Sequence, residues 1–151
     1  MTTIEEIISK GKLLQKFQIE DEFEGFDESK IFEFTNSEYW LQTDYKYWYY
    51  YAYRPTGKLY EYLGRIYLTI DNQSQFIEVE KIEIQEYTII SDFNGWKGDT
   101  IFEMDNGEIW KQDSYDYDYN YSYRPKAAIY ENGLKSIMIV EGKSIEVKRV
   151  K

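Results

Sequence analysis

The chain has no cysteine and no histidine. Without cysteine there are no disulfides, no thiolate nucleophile and no iron-sulfur or Cys-zinc site; without histidine the commonest metal ligand is gone. So is the one side chain that titrates near neutrality when unperturbed. Most hydrolase and metalloenzyme templates fall with these two absences, and the expectation is of no metal, no cofactor and no catalysis. Nor is there a run approaching the roughly eighteen consecutive apolar residues of a membrane span. The start, with Glu5 and Glu6 soon after Met1, lacks the basic n-region of a signal peptide. These features predict a cytoplasmic protein. Basic residues are also short: 18 Lys and Arg stand against 28 Asp and Glu, a formal net charge of -10. Such a surface repels phosphate backbones and anionic lipid, so neither nucleic acid nor membrane is expected as a partner, whereas a basic protein or peptide would be steered in.

Aromatic residues are what the chain has in excess. Mean hydropathy is low at -0.69, yet 17 Tyr, 8 Phe and 4 Trp make 19% of the 151 residues, a content that belongs to folded chains rather than disordered ones. An internal repeat organises them. A shift of 70 lays residues 23–55 over 93–125 without a gap, with 16 of 33 positions identical, and IEVEKI at 77–82 meets IEVKRV at 145–150. The chain is therefore read as a tandem of two units, 12–82 and 83–151, behind an N-terminal segment 1–11. Neither half is basic: residues 1–82 hold 9 basic and 15 acidic side chains (net -6), the rest 9 and 13 (net -4). In the N-terminal segment Thr3 with Glu6 forms a capping-box pattern, Ile4, Ile7 and Ile8 share a helical stripe, and Gly11 suits the C-terminal cap, so one short helix is expected there.

The remainder reads as strand. In the second copy TIFEM and EIWKQ flank Asn106-Gly107, the strongest short hairpin signal, and the first copy has Asn36-Ser37 at that place. A literal two-residue loop pairs Met104 with Ile109, Glu103 with Trp110 and Ile101 with Gln112. Phe102, Met104 and Ile109 then face the core, and Ile101, Glu103, Trp110 and Gln112 face outward, matched by Ile31, Glu33, Trp40 and Gln42. Tyr follows at every second position, 45 to 53 and 115 to 123, before Arg54-Pro55 and Arg124-Pro125. Period two places each run on one face of an extended strand. The opposite face carries Lys46, Trp48, Tyr50 and Ala52 in one copy and Asp116, Asp118, Asn120 and Ser122 in the other. Five or so short strands per unit suggest a small barrel or strongly bent sheet.

The stretch F-x-G-W-x-G-x-T-x-F-x-M-x-N-G-x-x-W-x-Q-x-x-Y-x-Y-x-Y-x-Y-x-Y-R-P, residues 93–125, resembles a domain met at the ends of small uncharacterised bacterial proteins. The resemblance implies an SH3-like barrel. The first copy departs from it with Phe26, Glu28 and Ser37 where the second has Trp96, Gly98 and Gly107. The family carries no activity to transfer. The implied architecture is mainly β: two tandem small SH3-like barrel units with a short N-terminal helix.

Chemistry-bearing patterns are few. Asp116, Asp118 and Asn120 begin like a calcium loop, but the sixth and twelfth positions are Tyr121 and Ala127, where Gly and Glu are required. Glu33, Glu38, Glu103 and Glu108 are the carboxylates that could flank a sugar bond, though the paired acids fall on opposite faces of the hairpin. Phosphate-binding and nucleophile-elbow motifs are absent. What remains is a surface of Glu33, Trp40, Gln42 and Arg54 with its repeat Glu103, Trp110, Gln112 and Arg124, joined by whichever Tyr rings are exposed. Rigid aromatic area beside Arg suits protein or peptide binding, and aromatic platforms also suit sugars. Two readings stay open for these residues: contact surface, or Trp filling the barrel end and the Tyr ladder covering a thin core, with Glu33 to Arg54 and Glu103 to Arg124 as ion pairs.

Overall fold

Turn residues cut this chain into short segments whose burial alternates, and each segment must pair to satisfy its backbone. The computed structural model describes all 151 residues, Met1–Lys151. It is mainly β, with one short helix and two six-stranded sheets, and it divides into the units Met1–Ile82 and Glu83–Lys151.

Helix α1 (Ile4–Lys10) belongs to the first unit. Thr3 Oγ1 accepts the Glu6 N–H at 3.2 Å, and the Gly11 N–H donates to the Ile7 carbonyl. The Glu6 carboxylate accepts the Tyr62 hydroxyl at 3.1 Å. Ile7 is buried against Tyr60 and Tyr67, while Ile8 is exposed, so the helix covers the sheet with a narrower stripe than its sequence suggested. The strands of this unit are β1 (Lys12–Gln18), β2 (Glu22–Phe23), β3 (Ile31–Glu33), β4 (Tyr39–Gln42), β5 (Ala52–Tyr53), β6 (Thr56–Tyr62), β7 (Arg65–Ile70) and β8 (Phe76–Ile82). Six of them form an antiparallel sheet in the order β1-β6-β7-β8-β4-β3, and β2 pairs with β5.

The second unit comprises β9 (Ile84–Thr88), β10 (Phe93–Trp96), β11 (Ile101–Glu103), β12 (Ile109–Gln112), β13 (Asp118–Ser122), β14 (Lys126–Asn132), β15 (Lys135–Val140) and β16 (Lys143–Arg149). Its sheet runs β9-β14-β15-β16-β12-β11, with β10 paired to β13. Every strand thus has a counterpart eight places earlier, in the same neighbourhood. A closed barrel is not formed. The edge strands β1 and β3 meet only at the bridge Ile19↔Phe34, as β9 and β11 meet only at Ile89↔Met104. With β3 and β11 three residues long, no continuous ladder joins the sheet edges.

The hairpin register corrects the expected one by a single residue. Phe102 pairs with Trp110 and Glu103 with Ile109; in the first unit Phe32 pairs with Trp40 and Glu33 with Tyr39. The loop has three residues: the Gly107 N–H donates to the Met104 carbonyl and the Met104 N–H to Glu108, with Gly107 at φ 91°. This is the hairpin in which a turn is followed by one left-handed residue. One residue of slip exchanges the faces, so Trp110 and Gln112 join Phe102 and Met104 inside, and Ile101 and Glu103 point to solvent.

Each unit has its own aromatic core. Phe23, Phe26, Phe32, Phe34 and Trp40 gather in the first, and Phe93, Trp96, Phe102 and Trp110 in the second. A glycine lets the tyrosine strand approach. Gly25 (φ 95°) and Gly95 (φ 89°) leave no room for a Cβ, which would stand 1.8 Å from the Trp48 carbonyl oxygen and 1.9 Å from that of Asp118.

Candidate functional site

The corrected register decides the fate of the repeated Glu-Trp-Gln pattern. Trp40 and Trp110 are each 6% exposed, and Gln42 and Gln112 are buried beside them. The glutamines act as backbone clamps. Gln42 Oε1 accepts the Asp27 N–H at 2.9 Å while its Nε2 donates to the Lys46 carbonyl at 2.8 Å. Gln112 Oε1 accepts the Gly98 N–H at 2.8 Å, and its Nε2 donates to the carbonyls of Ser114 and Asp116. A buried amide satisfied at both ends fixes where the tyrosine strand begins, because leaving either end unpaired is costly. These four residues, expected among the contact residues, are interior.

The indoles are held by the glutamate two positions earlier. Trp40 Nε1 donates to Glu38 at 3.1 Å and Trp110 Nε1 to Glu108 at 3.0 Å. Gln15 Nε2 also donates to Glu38, with Lys81 at 3.5 Å. Glu108 takes Asn106 Nδ2 and the Tyr87 hydroxyl, with Arg149 Nε at 3.8 Å. Hydrogen bonds from Gln15 and Trp40, with the Lys81 charge, hold the Glu38 carboxyl below its ordinary value. Burial pushes the Glu108 carboxyl up, but the Asn106, Tyr87 and Trp110 donors outweigh it and leave it lowered. Burial, then the Glu108 carboxylate, pushes the Tyr87 phenol up to about 12. Carboxylates held ionised by structural donors are poor general acids. Residues Gln15, Tyr87, Lys81 and Arg149 were missing from the sequence reading; the matched pair Lys81 and Arg149 within IEVEKI and IEVKRV was the signal.

Glu33 and Glu103 point outward and Arg54 and Arg124 do not pair with them. Both arginines stand at turns with positive φ, 51° and 43°. Arg54 gives its carbonyl to Gln18 Nε2, and its side-chain Nε is buried without a partner. Arg124 lays its guanidinium 5.7 Å from the centre of the Tyr123 ring.

The exposed aromatic surface is made by the tyrosines. Tyr45, Tyr47, Tyr49, Tyr51 and Tyr53 are 51–81% exposed, and Tyr115, Tyr117, Tyr119, Tyr121 and Tyr123 are 64–97% exposed. The residues between them are half-buried in the run from 46 to 52 and from 118 to 122, while Asp116 is exposed, so the first run and the second from Tyr117 on each present a single outward row. Neither run is the continuous strand that period two suggested: the first is strand only at Ala52–Tyr53 with a bridge at Trp48, and the second at Asp118–Ser122. Beside Tyr117 and Tyr119 a cleft of about 460 Å³ opens between Asp92, Asn94, Asp99 and Asp118. Asp118 is paired there with Lys143 at 2.9 Å. No group of three or more acidic side chains converges on a point where a metal would sit, and no helix is long and apolar enough to cross a membrane. Comparison with protein-family models, curated proteins and solved structures gave no match to this chain.

Proposed function

We propose that this protein is a non-catalytic binding module that meets a protein or peptide partner through its two tyrosine rows. The observation that carries the reading is that ten Tyr rings, five in each unit, stand in solvent at period two. Tyr offers a large, rigid contact with a polar tip at low conformational cost, and the net charge of -10 assists encounter with a basic partner. The non-catalytic reading is supported by Glu38 and Glu108, whose oxygens are taken up by indole and amide donors. Kinship with SH3-like domains is part of the proposal, supported by the 93–125 motif and by sheet edges that meet at a bridge.

A second reading, carbohydrate binding, is favoured by one feature, the acid-lined cleft beside Tyr117 and Tyr119. A displayed random-peptide library and a glycan array, probed with the whole chain and with a Tyr47→Ser/Tyr49→Ser/Tyr117→Ser/Tyr119→Ser variant, separate the two. Peptide enrichment that the variant loses is expected. Tyrosine-dependent glycan binding without peptide enrichment would replace the first reading by the second, and hydrolysis of a bound glycan would overturn the non-catalytic reading.

A further inference from the structure

Resting on that reading, the geometry of the rows says what kind of peptide they fit. The alternating burial over 45–53 and 117–123 marks extended chain, paired as strand at Ala52–Tyr53 and Asp118–Ser122. Extended chain rises about 3.3 Å per residue, which would set like-facing rings about 6.6 Å apart. A peptide lying along the row in the same extended form repeats its like-facing side chains at that interval, and each ring meets every second residue in step. A polyproline helix repeats a face at about 9.3 Å and falls out of step after one ring.

The chemistry of the row selects the residue that meets each ring. A cation over a Tyr face is attracted by the ring quadrupole, and the molecule already shows the contact in Arg124 over Tyr123. Carboxylates frame the rings. The Tyr51 hydroxyl lies 3.4 Å from Glu22 Oε1, and the charges of Glu22, Asp21 and Glu24 raise its pKa. In the second unit Asp92 and Asp99 share the cleft with Tyr117 and Tyr119. Anionic side chains would be repelled there, and neutral ones would leave the carboxylates unused. We propose that the tyrosine rows recognise an extended peptide carrying Lys or Arg at every second residue. The first row, flanked by Asp21, Glu22 and Glu24 where the second has Ser91, Asp92 and Asn94, is the stronger.

Calorimetric titration of the whole chain with three synthetic peptides of one length tests this. One alternates Lys and Thr, one has the same composition with its lysines contiguous, and one alternates Gln and Thr. The alternating lysine peptide should bind roughly ten-fold more tightly than its contiguous isomer, as two or three cation-ring contacts in step would give. Tyr47→Ser/Tyr49→Ser/Tyr51→Ser combined with Tyr117→Ser/Tyr119→Ser/Tyr121→Ser should abolish that preference with little change in melting temperature, and the matching Tyr→Phe set should keep it. Equal affinity for the two lysine peptides would overturn the proposal, since bulk charge alone would then explain binding. If the neutral peptide binds as tightly and needs the rings, the cation part fails while the peptide-binding reading stands. If no peptide binds in a ring-dependent way, both fail. The Glu22→Gln/Glu24→Gln variant should weaken the alternating lysine peptide more than the neutral one; an unchanged affinity would overturn the role given to the acidic frame.

Discussion

The two units build one frame and fill it differently. In the first, Trp48 on the tyrosine strand stacks on Tyr50 at 5.0 Å and reaches Phe26 at 5.1 Å and Phe23 at 6.3 Å. In the second the same places hold Asp118 and Asn120, turned to Lys143 and Glu141, while Trp96 stands where Phe26 was. The indole has moved across the strand pair, from the tyrosine strand to its neighbour, and each core stays filled. Inner positions thus change together, as packing requires. The outer face of the same strand behaves in the opposite way. All five of its residues are Tyr in both units although the rings stand in solvent, whereas other exposed strand positions are mixed: Lys16 and Glu86 or Thr56 and Lys126 differ, and Glu33 and Glu103 or Glu61 and Glu131 match. Core packing has no hold on the outer row, which is why binding is the reading it supports.

The shared frame breaks hardest at its glycines. Gly25→Ala and Gly95→Ala should each cost more than about 4 kcal/mol, because a Cβ would overlap a backbone carbonyl of the facing strand at a φ that L residues rarely adopt. Thermal melting with amide NMR signals assigned to each unit checks this; a loss confined to one unit's glycine would show that the approach is required in only one frame. Next come the indoles. Trp40→Ala and Trp110→Ala should each lower stability by about 3 to 5 kcal/mol, since both are buried and bonded to a glutamate. A folded Trp110→Ala protein with an unchanged melting curve would return Trp110 to the surface.

Much of this frame was legible in the sequence, and the part that was not has a definite cause. The 70-residue shift, the short helix after Thr3 and the mainly β character all follow from period and repeat. Period two put the tyrosines on one face but did not say which face. The polar residues Asp116, Asp118 and Asn120 argued for the opposite side in solvent, where the structure half-buries Asp118 and Asn120 and exposes the rings. The face of Trp40 and Trp110 did not, because Asn-Gly serves both a two-residue loop and the last two places of a three-residue loop. Asn106 Oδ1 accepts the Glu108 N–H at 3.0 Å, and Asn36 holds Glu38 in the same way; this side-chain bond favours the longer loop and is invisible to hydropathy. The first copy carried the clue, in that Ser37 tolerates one left-handed position, at φ 70°, more readily than Asn36-Ser37 would tolerate two. Glu33 stays on the outward face where it was expected, and no ion pair joins it to Arg54, which stands at a turn with φ 51° and gives its carbonyl to Gln18.

A titration separates the units at high pH. Glu38 and Glu108, both lowered from 4.5, contribute stability that is present above that value and lost as pH falls below it, in both units alike. Tyr87 is raised from 10.0 to about 12, so the folded state holds its proton more tightly and stability is full below pH 10 and lost as pH rises from 10 to about 12. The loss is on the order of 2 kcal/mol. Phe17 occupies this place in the first unit, which therefore lacks the buried phenol-carboxylate pair. Tyr130, also raised by burial, adds to the loss in the second, whereas the raised phenols of the first, Tyr62 by burial and Glu6 and Tyr51 by Glu22, are more exposed than Tyr87 and weigh less. Denaturant melts from pH 9 to 12, followed by signals of each unit, should show the second unit weakening first, and Tyr87→Phe should reduce the difference. Equal alkaline weakening of both units would contradict this assignment.

The smallest effect concerns the left-handed hairpin position, Ser37 in one copy and Gly107 in the other. Gly107 and Ser37 both sit in the left-handed region, at φ 91° and 70°. A Cβ on Gly107 would meet nothing within 4 Å, so a substitution there is decided by backbone energy alone. Left-handed geometry costs an L residue roughly 1 to 2 kcal/mol, offset in part by the greater freedom glycine loses on folding. Gly107→Ser should therefore destabilise by about 1 kcal/mol, Gly107→Val by somewhat more because branching at Cβ tightens the clash, and Ser37→Gly should stabilise by about the same amount as Gly107→Ser costs. Melting curves of the three variants provide the check. Matching magnitudes of opposite sign would show that the two hairpins are one structure with two side chains. A neutral Ser37→Gly would mean that the Ser37 side chain makes up its backbone cost within the first unit.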